Sequence, residues 1–447
     1  MAQLAVWMNG ELVGVWSNDH AHSFEYAASW LESERARPLS LSLPLTSTRQ
    51  LRGAMVESYF DNLLPDNDAI RKRIRSRFGT RSTDAFELLS AIGRDCVGAA
   101  QLLPVDEPPQ DIRRVDHEAL SEDDIARLLR NVTVMPAFGA AAESDDFRIS
   151  IAGAQEKTAL LRFNGQWCKP LHATPTTHIL KLPLGNVSRY NADFSTSVEN
   201  EWLCARILRE LGLAVASTDM ATFGDQRVLV VERFDRTWVD TDDGSGAYLL
   251  RLPQEDMCQV TGTAPARKYE NEGGPGIGDC LAVLGNSETP WQARRAFVLA
   301  QLAFWLLAAP DGHAKNFSIF IHRGGAYSMT PLYDVLSAWP IIGKGANRMP
   351  YQDAGLAMAL RSKNAHYKFG EIETRHWHQL AQVTAADLWV DMIGLVENVG
   401  PALERVQAAL PGEFPGRVWE PIAAGMRRHA RKFLQTASLQ GKPAGAP

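Results

Sequence analysis

Pro310-Asp-Gly-His-Ala-Lys-Asn-Phe317 decides the reading of this chain. Asp311 and Asn316 stand five positions apart. That is the spacing at which a phosphoryl-transfer loop carries its proton acceptor and its metal-binding amide. Both residue types are common in loops, so the neighbouring sequence has to support the reading. Phe317-Ser-Ile-Phe-Ile-His322 predicts a strand, Gly324-Gly325 a turn, and Tyr327-Ser-Met-Thr330 the return strand, leading into Pro331-Leu-Tyr-Asp334. A hairpin brings the chain back to its starting end, so Asp334 is expected near Asn316. An amide oxygen and a carboxylate suit Mg2+, which takes a few protein oxygens and completes its shell with phosphate and water. The competing reading is that Asp334 only caps Val335-Leu-Ser337.

Upstream, His178-Ile-Leu-Lys-Leu182 predicts a strand with Lys181 on the face of Ile179. An amine there needs an anionic partner or water. Phosphate oxygens would serve, with Glu201, or Glu199, on the following helix to orient the lysine. Ser150-Ile-Ala-Gly-Ala-Gln-Glu-Lys-Thr158 is a small-residue loop in which Gly153 permits close backbone approach to phosphate. Lys157-Thr158 resembles the end of a Walker A loop. The glycine before the lysine is missing and the spacing is short, which disfavours a P-loop NTPase. Taken alone, this loop reads as a plain turn. Glu232-Arg-Phe-Asp235 follows the apolar run Val228–Val231, where backbone groups could pair with adenine and Phe234 could stack on it; a surface salt-bridge cluster is the alternative.

The 447 residues favour two or three domains. With 45% hydrophobic and 22% charged residues the composition is that of a soluble globular protein. The net charge of -6 removes any overall basic field for nucleic acid. Five scattered cysteines with no Cys-x-x-Cys pair support neither a zinc ribbon nor a disulfide framework, and fit a reducing cytosol. No signal peptide or membrane-spanning stretch is evident, so a cytoplasmic location is expected.

Leu4 to Trp16 predicts a hairpin turning at Asn9-Gly10. Leu39, Leu41, Leu43 and Leu45 alternate with polar residues and Pro44, predicting an edge strand. Arg52 to Ile92 reads as helical, and its basic run Arg71, Lys72, Arg73, Arg75, Arg77 as a solvated helix face. A Pro-rich acidic loop, Pro104 to Asp111, follows. Phe147 to Leu252 reads as strands interrupted by a helix from Ser197 to Leu211, the order of a kinase N-lobe. Beyond Arg251 helices dominate, clearest at Trp291–Ala308, Ala385–Leu410 and Trp419–Leu439. The resulting division is 1–110 as an α/β subdomain, 111–252 as a β-rich N-lobe-like subdomain, 253–440 as a helical lobe, and 441–447 as a disordered tail.

Four stretches together resemble the HipA family, the serine/threonine-kinase toxins of HipBA toxin–antitoxin systems. They are the loop Ser150–Leu160, Arg251-Leu-Pro-Gln-Glu-Asp-Met-Cys-Gln259, Gly273-Gly-Pro-Gly-Ile277 and Asp311–Ser318, joined by Arg37–Leu45 and Phe60–Asp66. The resemblance covers nearly the whole chain. It implies an α+β, two-lobed protein-kinase-like fold with an α/β N-terminal region and an all-helical C-terminal domain, binding ATP and Mg2+ between the two. On this resemblance Asp311 matches the catalytic base, and Asn316 and Asp334 the magnesium ligands. Ala152, Gly153, Ala154, Gln155, Glu156 and Lys157 match the phosphate loop, and Lys181 the phosphate-binding lysine. Glu232, Arg233 and Phe234 match the adenine-contacting hinge. His313, Ala314, Lys315 and Tyr333 fall in matched nucleotide-binding segments. Ser150 matches a serine whose autophosphorylation disorders the phosphate loop and switches the kinase off; a phosphate beside Asp145, Asp146 and that loop would be repelled by both.

The resemblance further implies glutamyl-tRNA synthetase as target, phosphorylated at a serine, so that translation stalls and the cell becomes dormant and drug-tolerant. It implies a helix-turn-helix HipB-like antitoxin that binds operator DNA and holds the kinase inactive. Two departures stand out. Ala309-Pro310 replaces the His-Arg of eukaryotic kinases, removing a contact to a phosphorylated activation loop. Gln379–Ala386 also lacks the basic side chains that some relatives set against DNA, so operator contact is expected mainly through the antitoxin. The rival functions are a small-molecule or lipid kinase and a non-catalytic corepressor that only binds the antitoxin on DNA.

Overall fold

The computed structural model describes the chain apart from residues 1, 47, 110–111, 134–149, 151, 154, 188–191, 242–243, 245, 386 and 441–447. It forms two units. The first comprises Met1–Leu182, Asp219–Lys268 and Ser318–Tyr327; the second comprises Pro183–Thr218, Tyr269–Phe317 and Ser328–Pro447. Neither is a continuous piece of sequence. The helix Ser197–Glu210, read from the sequence as part of the β-rich subdomain, belongs to the second unit.

The first unit carries two main sheets. One orders its strands Gln50–Arg52, His22–Tyr26, Glu11–Asn18, Ala2–Met8 and Ala100–Pro104. The predicted hairpin turn is present: Asn9 and Gly10 both take positive φ, the geometry this turn requires. One face of the sheet buries Trp16, Phe24 and Tyr26 against Phe60 and Phe86 from the helices Ala54–Asp61 and Ala85–Ile92. Trp16 stacks on Phe60 with ring centroids 3.9 Å apart. Between those helices runs Asp68–Phe78, which has no buried residue, as the basic run predicted. Two of its cations are paired, Arg71 with Asp61 and Arg73 with Glu156.

The predicted strand at Leu39–Leu45 does not form; an isolated bridge between Ser40 and Leu43 takes its place. Side chains, not a ladder, hold this stretch. The Leu39 amide donates to the Tyr26 hydroxyl and the Leu41 amide to Glu255 Oε1, while Ser40 and Ser42 donate to the Gln259 carbonyl. Burial does not follow the alternation either: Ser40 is buried and Leu45 exposed, and the hydrogen-bond partners lie outside this stretch.

The second sheet orders Thr218–Phe223, Gln226–Glu232, His178–Lys181, Lys157–Phe163, Gln166–Pro170 and His117–Ala119. Leu160, Leu180, Val228 and Val230 pack on Ile125, Ala126 and Leu129 of the helix Glu122–Thr133. A third pairing joins Gln254–Asp256 to Ser318–Ile321, so the strand that follows the Asp311 loop belongs to the first unit.

What binds these pieces is a buried charge cluster. Asp95 receives Arg236 at 2.9 Å, Arg251 at 3.0 Å and Arg233 at 3.3 Å, while Asp235 pairs with Arg233 at 2.8 Å and Arg236 at 3.0 Å. Thr176 donates its hydroxyl to Asp95 at 2.7 Å, and the Gly98 amide donates to Asp235. Burial alone would raise the Asp95 pKa; the guanidiniums of Arg236, Arg251 and Arg233 overturn this and hold it well below the carboxylate range. Burial and the charge of Arg233 push Arg236 down to about 10, since three cations share two carboxylates.

The second unit is built round the helix Pro290–Leu307, buried throughout from Phe297 to Leu307. Thr374–Thr384, Leu388–Glu397, Val399–Ala408 and Gly416–Gln440 pack in the same unit, and Ser197–Glu210 joins them through Asn200, which exchanges two hydrogen bonds with the Ser337 backbone. The hairpin of Gly355–Arg361 and Ala365–Lys368 was not anticipated from the helical pattern. His429 stacks on Trp305 at 4.3 Å; its Nδ1–H donates to the Trp305 carbonyl and its Nε2 accepts from the Tyr351 hydroxyl. No helix among the described residues is long and apolar enough to cross a membrane, and all five cysteines are buried free thiols.

Two stability predictions follow from these buried groups. Asp95→Ala leaves three guanidiniums facing one carboxylate, and is expected to cost roughly 3–5 kcal/mol in denaturant unfolding; an unchanged midpoint would refute the cluster's role. Burial lowers the His429 pKa from 6.5 to about 3, so the folded chain keeps it neutral. The unfolded chain takes up a proton below 6.5, so this contribution is complete above that pH and is lost as pH falls from 6.5 toward 3. His429→Gln should therefore start less stable and lose less on acidification than the parent; parallel pH curves would contradict this.

Candidate active site

In the first unit, the small-residue loop is fastened to the N-terminal module. Ser150 is fully buried; its amide donates to the Asp95 carbonyl at 3.0 Å and its hydroxyl to the Leu63 carbonyl at 2.8 Å. The Asp66 amide donates to the Gly153 carbonyl at 3.3 Å. Gly153 has φ +110°, a conformation that L side chains rarely adopt and glycine takes freely. Lys157 donates to the Ala152 carbonyl. Gln155 and Glu156 fix the loop's exit, through Gln155 Nε2 to the Leu182 carbonyl at 2.5 Å and the Leu182 amide to the Glu156 carbonyl at 3.0 Å. Ala154 lies outside the described residues, as do Asp145 and Asp146.

The register of the sheet adds what spacing did not reveal. Lys157 and Lys181 are direct antiparallel partners, with Leu229 on the other side of Lys181. Directly opposed residues share a face, so the two lysines stand on one face of the sheet. Lys181 is buried. Glu199 and Glu201, read as its orienting partners, are buried on the helix Ser197–Glu210 of the second unit.

At the end of Gln226–Glu232, Glu232 is exposed and pairs in register with His178. Phe234 is partly buried, with Phe320 edge-on at 5.9 Å. Arg233 differs from its neighbours. Its guanidinium is committed to Asp235, Asp95, Thr176 and the Cys96 carbonyl, so the side chain works in the charge cluster and only the backbone of this residue remains for a hinge role.

In the second unit, the helix Pro290–Leu307 ends at Ala308 in the left-handed conformation and delivers the Asp311 loop. A Cβ on Gly312 would meet Phe304 at 2.5 Å, so the loop can lie on that ring only with glycine here. The loop then closes on itself. The His313 amide donates to the Asp311 carbonyl at 2.9 Å, Asn316 Nδ2 donates to the same carbonyl at 2.6 Å, and Ala314–Asn316 forms one 3-10 turn. The Asn316 donation sets which end of its amide is oxygen.

Asp311 is about a third exposed, with His313 Nε2 3.9 Å away and the Tyr269 hydroxyl donating to Oδ1. His313, Ala314, Lys315 and Asn316 are buried. Tyr333 donates its hydroxyl to the Lys315 carbonyl at 2.8 Å, tying the residue before Asp334 to the residue before Asn316. Asp334 has φ +60°, a conformation Asp tolerates better than most residues. No group of three His, Cys, Asp or Glu side chains forms a metal cage among the described residues. The donor set of one amide oxygen and one carboxylate fits Mg2+, which keeps water and phosphate in its remaining positions. Tyr269, which no spacing argument identified, is the contact that sequence reading missed; it lies 42 residues before Asp311 with no periodicity connecting them.

Comparison with known proteins places the chain in a family. Residues 149–410 match the HipA-like C-terminal domain and residues 4–103 the HipA N-terminal domain. A putative kinase, Y4mE, of Sinorhizobium fredii is 32% identical over 90% of this chain and 91% of its own length. The serine/threonine-protein kinase toxin HipA of Shewanella oneidensis is 28% identical over 70% of this chain and 69% of its own. A solved complex of Shewanella oneidensis HipA with HipB and operator DNA contains a chain that superposes with a TM-score of 0.79 at 21% identity, covering 98% of this chain and 99% of that one, a likeness of fold.

Gly312→Ala is expected to displace Phe304 and cost about 1–3 kcal/mol; a melting temperature equal to the parent's would show that the loop is not packed on that ring. The two domain matches and the relative alike over nine-tenths of both chains make this chain a member of the HipA family.

Proposed function

We propose that this chain is an ATP-dependent serine/threonine-protein kinase toxin, transferring the γ-phosphate of ATP to a protein serine. The observation that carries the reading is the Asp311 loop, in which Asn316 donates its side-chain amide to the Asp311 backbone carbonyl and Tyr333, next to Asp334, donates to the Lys315 carbonyl. Asp311 orients the serine hydroxyl and takes its proton. Asn316 and Asp334 would hold Mg2+, whose charge offsets that of the phosphates. Lys157 and Lys181, opposed across the sheet, supply the cationic face for phosphate. Glu232 and Phe234 contact adenine, with His313, Lys315 and Tyr333 lining the nucleotide segments. With little covalent work for the protein to do, positioning and electrostatic stabilisation supply the rate.

The target assigned by this reading is glutamyl-tRNA synthetase, whose phosphorylation would stall translation and promote dormancy and persistence. Neutralisation is by a HipB-like antitoxin, which also provides the contact to operator DNA. Ser150 is the autophosphorylation site. Its buried hydroxyl, spent on the Leu63 carbonyl, gives modification a physical consequence. A phosphoserine cannot occupy that place, so the loop must leave it, and phosphate binding is lost with it.

Asp311→Gln and Asp334→Gln are each expected to fold like the parent and lose phosphate transfer from radiolabelled ATP by at least about a hundredfold. Full transfer by either variant would defeat the assignment. Label appearing in metabolites and not in protein would favour a small-molecule kinase. Toxicity that persists in the Asp311 variant would favour a corepressor acting without catalysis.

A further inference from the structure

We propose that Tyr269 is the positioning residue of the proton acceptor, and that Glu270 holds Tyr269 in place by clamping the same turn to the strand Gly355–Arg361; this rests on the reading of Asp311 as that acceptor. A carboxylate's last torsion is broad, so an Asp that must present one oxygen to a substrate hydroxyl needs an external anchor. His313 does not supply it, since its Nε2 lies 3.9 Å from Oδ1, beyond hydrogen-bond range. Tyr269 does, by donating its phenol O–H to Oδ1. The ring is 7% exposed and stands edge-on to His313, centroids 4.8 Å apart and planes at 88°. The phenol therefore has little freedom to swing away.

The turn that carries Tyr269 is closed from both sides. The Gly274 amide donates to the Tyr269 carbonyl at 2.9 Å, and Gly273 takes φ +89°, which suits glycine. The next residue faces the other way. Glu270 accepts from the Ala359 amide at 2.6 Å and pairs with Arg361, its side chain 6% exposed. Two adjacent residues thus bridge the catalytic loop and the strand Gly355–Arg361, all within the second unit. None of this was legible from the Asp311–Asn316 spacing.

The test uses the full chain with γ-labelled ATP and Mg2+, comparing the parent, Tyr269→Phe, Glu270→Ala, Glu270→Gln, the Tyr269→Phe/Glu270→Ala double variant, and Asp311→Gln. Tyr269→Phe keeps the ring and removes the donor. It should lower the transfer rate at saturating ATP roughly tenfold to a hundredfold, while half-saturating ATP stays within about twofold and the melting temperature is retained. Glu270→Ala should lose less, adding little in the double variant because both act through one carboxylate. Glu270→Gln, which keeps an oxygen for the Ala359 amide, should recover part of that loss. Tyr269→Phe at or above the parent rate, beside an inactive Asp311→Gln, would overturn this inference alone and make the phenol an idle or blocking contact. A change confined to half-saturating ATP would also overturn it. Transfer by Asp311→Gln, or none by the parent, would remove the reading beneath it.

Discussion

Two carboxylates shared by three guanidiniums, all buried, are the constraint on which the first unit depends. Asp95 and Asp235 come from distant parts of the chain, and Arg233, Arg236 and Arg251 leave the ends of three strands to reach them. Removing such charges from water is expensive, and their mutual attraction compensates only when geometry and extra hydrogen bonds are good. Here Thr176, the Gly98 amide and the Cys96 carbonyl add hydrogen bonds, and Arg236 Nε alone of the cluster's atoms stays buried without one. The cluster joins the N-terminal module, through Asp95, to the β-rich part of the unit.

Two further segments of this unit hang from the same point. The Asp95 carbonyl receives the Ser150 amide, so the small-residue loop starts where the charge cluster sits. Arg233 ties the stretch Glu232–Phe234 to the cluster through its guanidinium on Asp235. Arg251 is gripped at its backbone by Asn9, with hydrogen bonds of 2.8 and 2.9 Å, just before the strand Gln254–Asp256 that pairs with Ser318–Ile321. In the second unit the analogous device is uncharged. A left-handed Ala308 and a glycine on Phe304 shape the loop, and three hydrogen bonds close it.

Local chemistry was legible in the sequence where the deciding contact is local. The Asn9-Gly10 and Gly324-Gly325 turns, the helix before Gly212 and the solvated basic helix Asp68–Phe78 all follow from residues adjacent in order. The expected return of the chain toward the Asp311 loop rested on a hairpin between near neighbours, and Tyr333 does meet Lys315. What failed depended on remote partners. Leu39–Leu45 alternates as a strand would, yet Tyr26, Glu255 and Gln259 take its hydrogen bonds. That the Arg233 guanidinium meets Asp95, over a hundred residues earlier, was equally out of reach of a local pattern. Lys157 and Lys181 are each visible alone, and their opposition is a matter of register that no single-chain pattern states.

The central claim is that the Asp311 loop moves phosphate from ATP to serine in a protein. The most direct measurement is mass-spectrometric mapping of phosphosites after the purified chain is incubated with ATP, Mg2+ and a dephosphorylated bacterial lysate, with and without a chelator. New phosphoserine is expected on a small set of proteins, glutamyl-tRNA synthetase among them, dependent on the metal. Label found only in small molecules, or no new phosphoserine at all, would contradict it.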